Sequence, residues 1–212
     1  MSRAAPFESH TDRYERWFEQ HRAAYCSEMM AVRAQLPLQG LGVEVGVGSG
    51  RFAAPLGVAY GVDPSLNMLR RARERGIAVV GGVAEALPFT DNTFDFILSV
   101  TTICFVDDVH AMLGEAHRVL KRQGGLIIGF IDRESRLGQR YADHQAENLF
   151  YREATFYSAE QVSSLLAESG FDAEDWVQTL TQSPELMREV ETTQPGRGQG
   201  AFVVVRAKRL DG

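Results

Sequence analysis

Five short apolar runs alternate with helical segments between residues 41 and 131, and this alternation constrains the fold more than any other feature. The helical segments lie at about 65–75 and about 108–121, and the first is expected to turn Leu66 inward. Strands that alternate with helices predict right-handed crossovers and a parallel sheet covered by helices on both faces. The five predicted strands are LGVEVG (41–46), GVAYGV (57–62), IAVVGG (77–82), TFDFILSV (93–100) and GGLIIGFI (124–131).

Helices and two further strands are predicted on either side of this alternating region. Residues 9–36 are predicted to form one helix, because aromatic residues recur at helical spacing from Tyr14 to Tyr25. A late helix is predicted at 157–171, where Ser158 is a suitable N-cap. The polar stretch 191–200 has loop composition. Two more strands, near 172–181 and at 200–209, bring the predicted sheet to seven.

Composition disfavours several classes of protein. The chain has 212 residues and a net charge of −6, which argues against a nucleic-acid binder with a basic face. Cys26 and Cys104 have neither disulfide nor metal-ligand spacing, so we expect no metal and a reducing, cytoplasmic location. The N-terminus lacks an apolar signal segment, and no apolar run approaches the ~20 residues that span a bilayer, so we expect a soluble protein without a membrane partner.

The first predicted strand leads into a glycine-rich turn that contains Gly46, Gly48 and Gly50. Glycines at this place let the backbone approach a ligand above the strand ends, although a tight turn without a ligand is the alternative. The third glycine follows the second too closely for the dinucleotide pattern, and no Walker lysine is present. The helix that follows is short because Pro55 and Gly57 interrupt it, which suits a pyrophosphate poorly. A ligand with a ribose and no phosphate fits better.

Five stretches, in order and spacing, resemble class I S-adenosylmethionine-dependent methyltransferases. The resemblance covers about residues 40–131 and 156–209 and includes the glycine turn. YERWF, TTICFVDD and DRES are also similar to uncharacterised bacterial and archaeal members, which supply no substrate. The five stretches are VEVGVGSGRF, GVDPS, GVAEALPFTDNTFDFILSV, EAHRVLKRQGGLIIG and FYSAEQVSSLLAESGF.

The resemblance implies an α/β, Rossmann-like, doubly wound and mostly parallel seven-stranded sheet with an antiparallel last strand and a helical N-terminal cap. We expect one methyltransferase domain over residues 1–212. Its predicted parts are a helical cap (1–38), a cofactor-binding half (41–131), a partly helical insertion (132–156) and a C-terminal helix with strands (157–209).

The resemblance also assigns roles around the S-adenosylmethionine cofactor. Glu44 is expected at its methionine end, with a purely structural carboxylate as the alternative. Asp63 is expected to bind the ribose hydroxyls, with an N-cap before Pro64 as the alternative. The full set of predicted cofactor-binding residues is Glu44, Gly46, Gly48, Gly50, Asp63, Pro64, Met68, Ala84, Glu85, Ser99 and Thr101.

Two positions depart from the family pattern. The family often has an aspartate that binds adenine where Val83 stands here, so Glu85 is only a candidate helper. Many relatives carry two histidines where Cys104 and Phe105 stand, so that base is absent from this chain. Asp132, Arg133 and Glu134, just beyond the fifth predicted strand, are candidates to add charge to the acceptor site, with solvated loop charges as the alternative.

No residue is assigned as the catalytic group. The candidates are His21, Tyr14, Tyr25, Thr101 and Thr102. The aromatic N-terminal helix that carries the first three is either a lid over the site or part of the core.

The predicted function is methyl transfer from S-adenosylmethionine to a small-molecule acceptor by in-line displacement. Protein or RNA methylation, a non-catalytic S-adenosylmethionine-binding module and a dehydrogenase are the alternatives. The acceptor, the atom methylated and the oligomeric state stay open.

Overall fold

A computed structural model describes residues 3–211 of the chain. These residues form eight strands in one sheet. The strands are β1 (Gly42–Val45), β2 (Tyr60–Asp63), β3 (Ala78–Gly81), β4 (Phe94–Val100), β5 (Leu120–Ile131), β6 (Phe171–Thr179), β7 (Gln194–Pro195) and β8 (Phe202–Arg209).

Eight α-helices accompany the sheet within the described residues. Two short 3₁₀ turns, Ile103–Phe105 and Gln145–Glu147, complete the regular structure. The helices are α1 (Ala5–Ser9), α2 (Thr11–Gln20), α3 (Arg22–Gln35), α4 (Ala53–Leu56), α5 (Leu66–Glu74), α6 (Val109–Val119), α7 (Arg136–Asp143) and α8 (Ala159–Glu168).

The strand order is β3-β2-β1-β4-β5-β8-β6-β7, and the first five strands pair in parallel. The last strand, β8, lies antiparallel between β5 and β6. The predicted fold class is therefore confirmed. The eighth strand is the two-residue β7, which lies in the stretch predicted as loop and adds to the edge of the sheet.

Helices cover both faces of the sheet, as the alternation predicts. Successive residues of β4 point to opposite faces: Ile97 packs with α6 and α8, whereas Phe96 and Leu98 pack with α3 and α5. The order of the strands reverses between β1 and β4. In sheets of this type the crevice above the carboxyl ends at that point holds the ligand.

Several local expectations are wrong, each for a physical reason. The helix predicted over 9–36 bends at His21, whose φ of −115° and ψ of 45° leave the helical region. The apolar periodicity continues across this bend, so the pattern could not reveal it. Leu66, the first residue of α5, is 69% exposed, whereas Met68, Leu69 and Ala72 of the same helix are buried.

Two further differences concern strands. The predicted buried strand at 77–82 is the exposed edge strand β3, which pairs on one side only. The helix predicted to 121 ends at Val119, and β5 begins at once with Leu120. No helix among residues 3–211 is long and apolar enough to cross a membrane.

Candidate active site

A cavity of about 860 Å³ lies above the carboxyl ends of the parallel strands. This volume is typical of small-molecule sites, which span ~300–1,000 Å³. It extends from the glycine turn to α7 and the segment that follows α7. Residues that border it include Phe7, Arg13, Tyr14, Trp17, Phe18, His21, Glu28, Gly46, Gly48, Asp63, Pro64, Met68, Thr101, Thr102, Phe105, Arg140, Tyr141, His144, Glu147, Phe150, Tyr151 and Glu185.

Two of the three glycines in the turn border this cavity. Gly46 has a φ of +74°, and a Cβ added to it would lie 2.2 Å from Thr102 Oγ1. Gly48 has a φ of +51°, and its added Cβ would lie 3.5 Å from the hydroxyl of Tyr14. Gly50 serves packing instead, because its added Cβ would lie 2.4 Å from Ile77 Cδ1. Gly46 therefore allows Thr102 to pack closely against the turn, and Gly48 alone leaves backbone surface free at the cavity wall.

Glu44 is buried in β1 and holds the start of α4. Its Oε2 accepts a hydrogen bond from the backbone amide of Ala53 at 2.8 Å. Burial raises the pKa of Glu44 well above its usual range, while the Ala53 hydrogen bond opposes that rise. This geometry matches the alternative of a carboxyl that ties down a nearby amide, and a role at the methionine end stays a prediction.

Asp63 is positioned at the end of β2, where it borders the cavity. Its Oδ1 accepts from the amide of Ser65 at 2.8 Å, and its Oδ2 accepts from the amide of Gly48 at 2.9 Å. Ser65, and not Asp63, is the N-cap of α5, since its hydroxyl accepts from the amide of Met68. Burial raises the pKa of Asp63 to about 6, against the effect of both hydrogen bonds. Pro64 and Met68 border the cavity next to it.

The predicted adenine residues and Ser99 lie away from this cavity. Ala84 packs in the core, and Glu85 Oε1 accepts from the amide of Asp107 at 2.7 Å. Ser99 is fully buried within β4. Placing these three residues at the cofactor was based on motif position, which does not specify the direction of a side chain. None of the three borders the cavity, and their cofactor roles stay predictions.

The end of β4 contributes Thr101 and Thr102 to the wall. Thr101 has a φ of +51°, unusual for a β-branched residue, and its amide donates to the carbonyl of Gly129 at 2.7 Å. The hydroxyl of Thr102 donates to the carbonyl of Val100 at 3.1 Å. Asp132, also considered for the acceptor site, is buried, and its carboxylate accepts from the amide of Glu134.

The N-terminal helices are both wall and core. Tyr14, Trp17 and His21 border the cavity, whereas Phe18 is only 6% exposed and also packs in the core. Tyr25, a catalytic candidate, does not border it, and its hydroxyl donates to the carbonyl of Arg51.

Ion pairs hold α2 over the glycine turn. The Glu15 carboxylate binds the guanidinium groups of Arg51 and Arg75 at 2.5 and 2.6 Å. At α1, the carboxylate of Glu8 accepts from the hydroxyl of Ser65 at 2.6 Å. These contacts fasten α1 and α2 over the cofactor end of the cavity.

Sequence reasoning missed the residues that close the far end of the cavity. Tyr141 and Arg140 lie on α7 and Tyr151 follows it, all within the predicted insertion. Glu28, on α3, was also missed. Its signal was available, since an acid at this position interrupts the apolar face of the helix that includes Tyr25 and Val32.

Comparisons with known proteins agree with this arrangement. A family described as a methyltransferase domain matches residues 43–128. An uncharacterised protein of Methanocaldococcus jannaschii is 40% identical over 96% of this chain and 98% of its own. A demethylmenaquinone methyltransferase of Anoxybacillus flavithermus is 33% identical over 58% of each chain.

A solved structure is similar over almost the whole chain. It is that of an S-adenosylmethionine-dependent methyltransferase from Thermotoga maritima, described as a possible histamine N-methyltransferase. It is 48% identical, has a TM-score of 0.95, and aligns over 97% of this chain and 99% of its own. The chain belongs to the S-adenosylmethionine-dependent methyltransferase family.

Proposed function

We propose that this methyltransferase acts on a small-molecule acceptor, by in-line displacement of the methyl group. The observation that carries the proposal is the single cavity of about 860 Å³ that runs from Asp63 to the aromatic residues of the insertion. A cavity walled by α1, α2 and α7 suits a compact acceptor better than a folded protein or RNA. The T. maritima neighbour, described as a possible histamine N-methyltransferase, supports the same acceptor size.

The residues at one end of the cavity fit S-adenosylmethionine. The Asp63 carboxylate borders this end and can accept hydrogen bonds from ribose hydroxyls, and Gly48 leaves the room that a Cβ would take. Pro64 and Met68 offer apolar surface beside them for the base. When bound, the cofactor supplies an electrophilic methyl group on a sulfonium.

The protein's own contribution is position and exclusion of water. Holding two reactants in near-attack geometry supplies ~7–11 kcal/mol of a barrier. Thr101 and Thr102 border the cavity near the glycine turn and can orient polar groups there. A general base is needed only where the acceptor arrives protonated.

His21 is the better placed of the earlier candidates for a base. Its Nδ1 lies 3.0 Å from the carbonyl of Trp17, which can only accept a hydrogen bond. The proton therefore sits on Nδ1, and the lone pair of Nε2 is left free. Tyr14 is poorly suited at neutral pH, because burial and nearby carboxylates raise the pKa of its hydroxyl.

The test is a transfer assay with methyl-labelled S-adenosylmethionine. A metabolite library, total protein and total RNA are supplied as separate acceptor pools. Label in one or more small molecules is the expected result. Label only in protein or RNA would refute the proposal, and binding of the cofactor without transfer to any pool would favour a non-catalytic module.

A further inference from the structure

Glu28 is a buried acid at the wall of the cavity. Its side chain lies on α3, is 5% exposed and borders the cavity. Among residues 3–211 it has neither a hydrogen-bond partner nor an ion-pair partner. Burial alone raises the pKa of Glu28 to about 8. An unpaired carboxylate in such a place is costly, so the site favours a ligand that supplies the missing partner.

Aromatic side chains border the same cavity as this carboxyl group, among them Tyr14, Tyr141 and Tyr151. A negative charge on Glu28 would contribute to the raised pKa of each of these three hydroxyls. Tyr141 and Tyr151 stack with ring centroids 5.1 Å apart. Phe105 stacks on the other side of Tyr151 at 5.8 Å. The faces of aromatic rings attract cations, by ~0.5–2 kcal/mol.

The other charged groups of the cavity do not neutralise Glu28. Arg140 is engaged by Glu185 at 2.9 Å and by the hydroxyl of Ser183 at 3.1 Å. Both histidines of the wall bond backbone carbonyls through Nδ1, at 3.0 Å each. Carboxyl groups outnumber guanidinium groups in the described wall. The four carboxyl groups are those of Glu28, Asp63, Glu147 and Glu185, and the two guanidinium groups are those of Arg13 and Arg140.

We propose that the methyl acceptor is a small organic amine with an apolar or aromatic body, and that Glu28 is the residue that binds its nitrogen. This inference rests on the proposed function and names its substrate class. The carboxylate pairs with the ammonium form, and the tyrosine rings enclose the carbon skeleton. A neutral acceptor could only hydrogen-bond the protonated carboxyl group, and the carboxylate would repel an anionic acceptor.

The pair of Glu28 and the ammonium group also explains how the amine loses its proton before it is methylated. The ammonium proton passes to the Glu28 carboxylate, which leaves a neutral amine with its lone pair. That lone pair forms the new nitrogen–carbon bond as the carbon–sulfur bond breaks, and sulfur leaves as a neutral thioether. The product is an N-methylammonium ion beside a protonated Glu28, which returns its proton to solvent.

The test measures binding, and so does not depend on turnover. Phenethylamine, tryptamine and butylamine are each titrated calorimetrically at pH 7 beside the alcohol of the same skeleton, with S-adenosylhomocysteine present. The wild-type protein is expected to bind at least one amine about tenfold or more tightly than its alcohol. Glu28→Gln, which keeps the size of the side chain, is expected to lose that preference.

Proton release gives a second readout that a structural role would not change. With a pKa of about 8, Glu28 is about nine-tenths protonated in the empty cavity at pH 7. Pairing with an ammonium ion releases that proton. Titrations in two buffers of different ionisation enthalpy should show about 0.9 proton released by the wild-type protein, and none by Glu28→Gln.

Glu168→Gln, an exposed site at the end of α8, is the control for the substitution itself and should match the wild type. Retained binding of S-adenosylhomocysteine by Glu28→Gln shows that the variant is folded. An amine preference that survives in Glu28→Gln, or none in any of the three pairs, overturns the inference. Methyl transfer to a neutral or anionic small molecule overturns it while leaving the proposed function intact. Transfer to macromolecules alone refutes the proposed function itself.

Discussion

Replacement of Gly46 by alanine separates the packing of the glycine turn from its backbone conformation. Gly46 and Gly57 have nearly the same φ, +74° and +75°, in the left-handed region that alanine rarely adopts. Nothing lies within 4 Å of a Cβ added at Gly57. At Gly46 that Cβ would lie 2.2 Å from Thr102 Oγ1 and 2.9 Å from Thr102 Cβ. Gly57→Ala is therefore a matched control.

The expected magnitudes follow from these contacts. A left-handed alanine costs ~1–2 kcal/mol, and this term applies to both variants. The loss of entropy in the unfolded chain is also shared, so it cancels in the comparison. Overpacking adds ~1–3 kcal/mol at Gly46 alone. Rotation of Thr102 cannot relieve it, because its Cβ stays in place.

Urea denaturation of the two variants measures this difference. Gly46→Ala should be less stable than Gly57→Ala by ~1–3 kcal/mol, with similar m values. It should also bind S-adenosylmethionine more weakly, because the displaced turn borders the cavity. Equal stability of the two variants would refute the reasoning, since it would mean that the turn has room for a side chain.

Three further predictions concern charged groups near the cofactor. Burial raises the pKa of Asp63 to about 6, and only the ionised carboxylate can accept hydrogen bonds from both ribose hydroxyls. Cofactor affinity measured by calorimetry should therefore fall about tenfold from pH 7 to pH 5, as Asp63 becomes protonated. An affinity that does not change over this range would contradict the prediction. Glu44→Gln should change the free energy of unfolding in urea by less than ~1 kcal/mol, because burial raises the pKa of Glu44 and favours a neutral side chain there. Glu44→Ala leaves the amide of Ala53 unpaired and should lower that free energy by ~1–3 kcal/mol. Equal losses in the two variants would argue against a stabilising role of this hydrogen bond. Glu15→Gln should speed proteolysis of the N-terminal helices and cofactor release, because Arg51 and Arg75 both lose their ion pair with Glu15. Unchanged rates would show that these pairs do not fasten the helices.

The sheet was predictable because its information is local. Strands β1 to β4 are short apolar runs bounded by turn residues, and each run alone predicts its element, whereas only the apolar second half of β5 could be predicted in this way. Two-residue β7 has no such run and exists only through pairing with β6. The bend at His21 was hidden for a related reason, since helical spacing continues on both sides of it.

Sequence position predicts some residues of the candidate site and misplaces others. Asp63 and Gly46 were predictable because a motif ties them to strand ends, and strand ends meet at one edge of the sheet. Ala84, Glu85 and Ser99 share such motif positions, yet their side chains turn into the core or to backbone amides. Sequence position specifies where a residue lies along a strand and leaves the direction of its side chain to packing.

The far end of the cavity was beyond sequence reasoning. Tyr141 and Tyr151 come from the predicted insertion, and they border the same cavity as Glu28 on α3, more than a hundred residues away in the chain. Only the tertiary fold brings these three together. The one local sign was the presence of an acid on an apolar helix face.

The most direct test of this account is calorimetric titration with S-adenosylmethionine and S-adenosylhomocysteine. The wild-type protein should bind both. Asp63→Ala should bind them about 10–100-fold more weakly, since hydrogen bonds to a charged group contribute ~1.5–3 kcal/mol. Asp172→Ala, at an exposed position of β6, should bind like the wild type. Failure of the wild-type protein to bind either compound would contradict the account and leave only the fold.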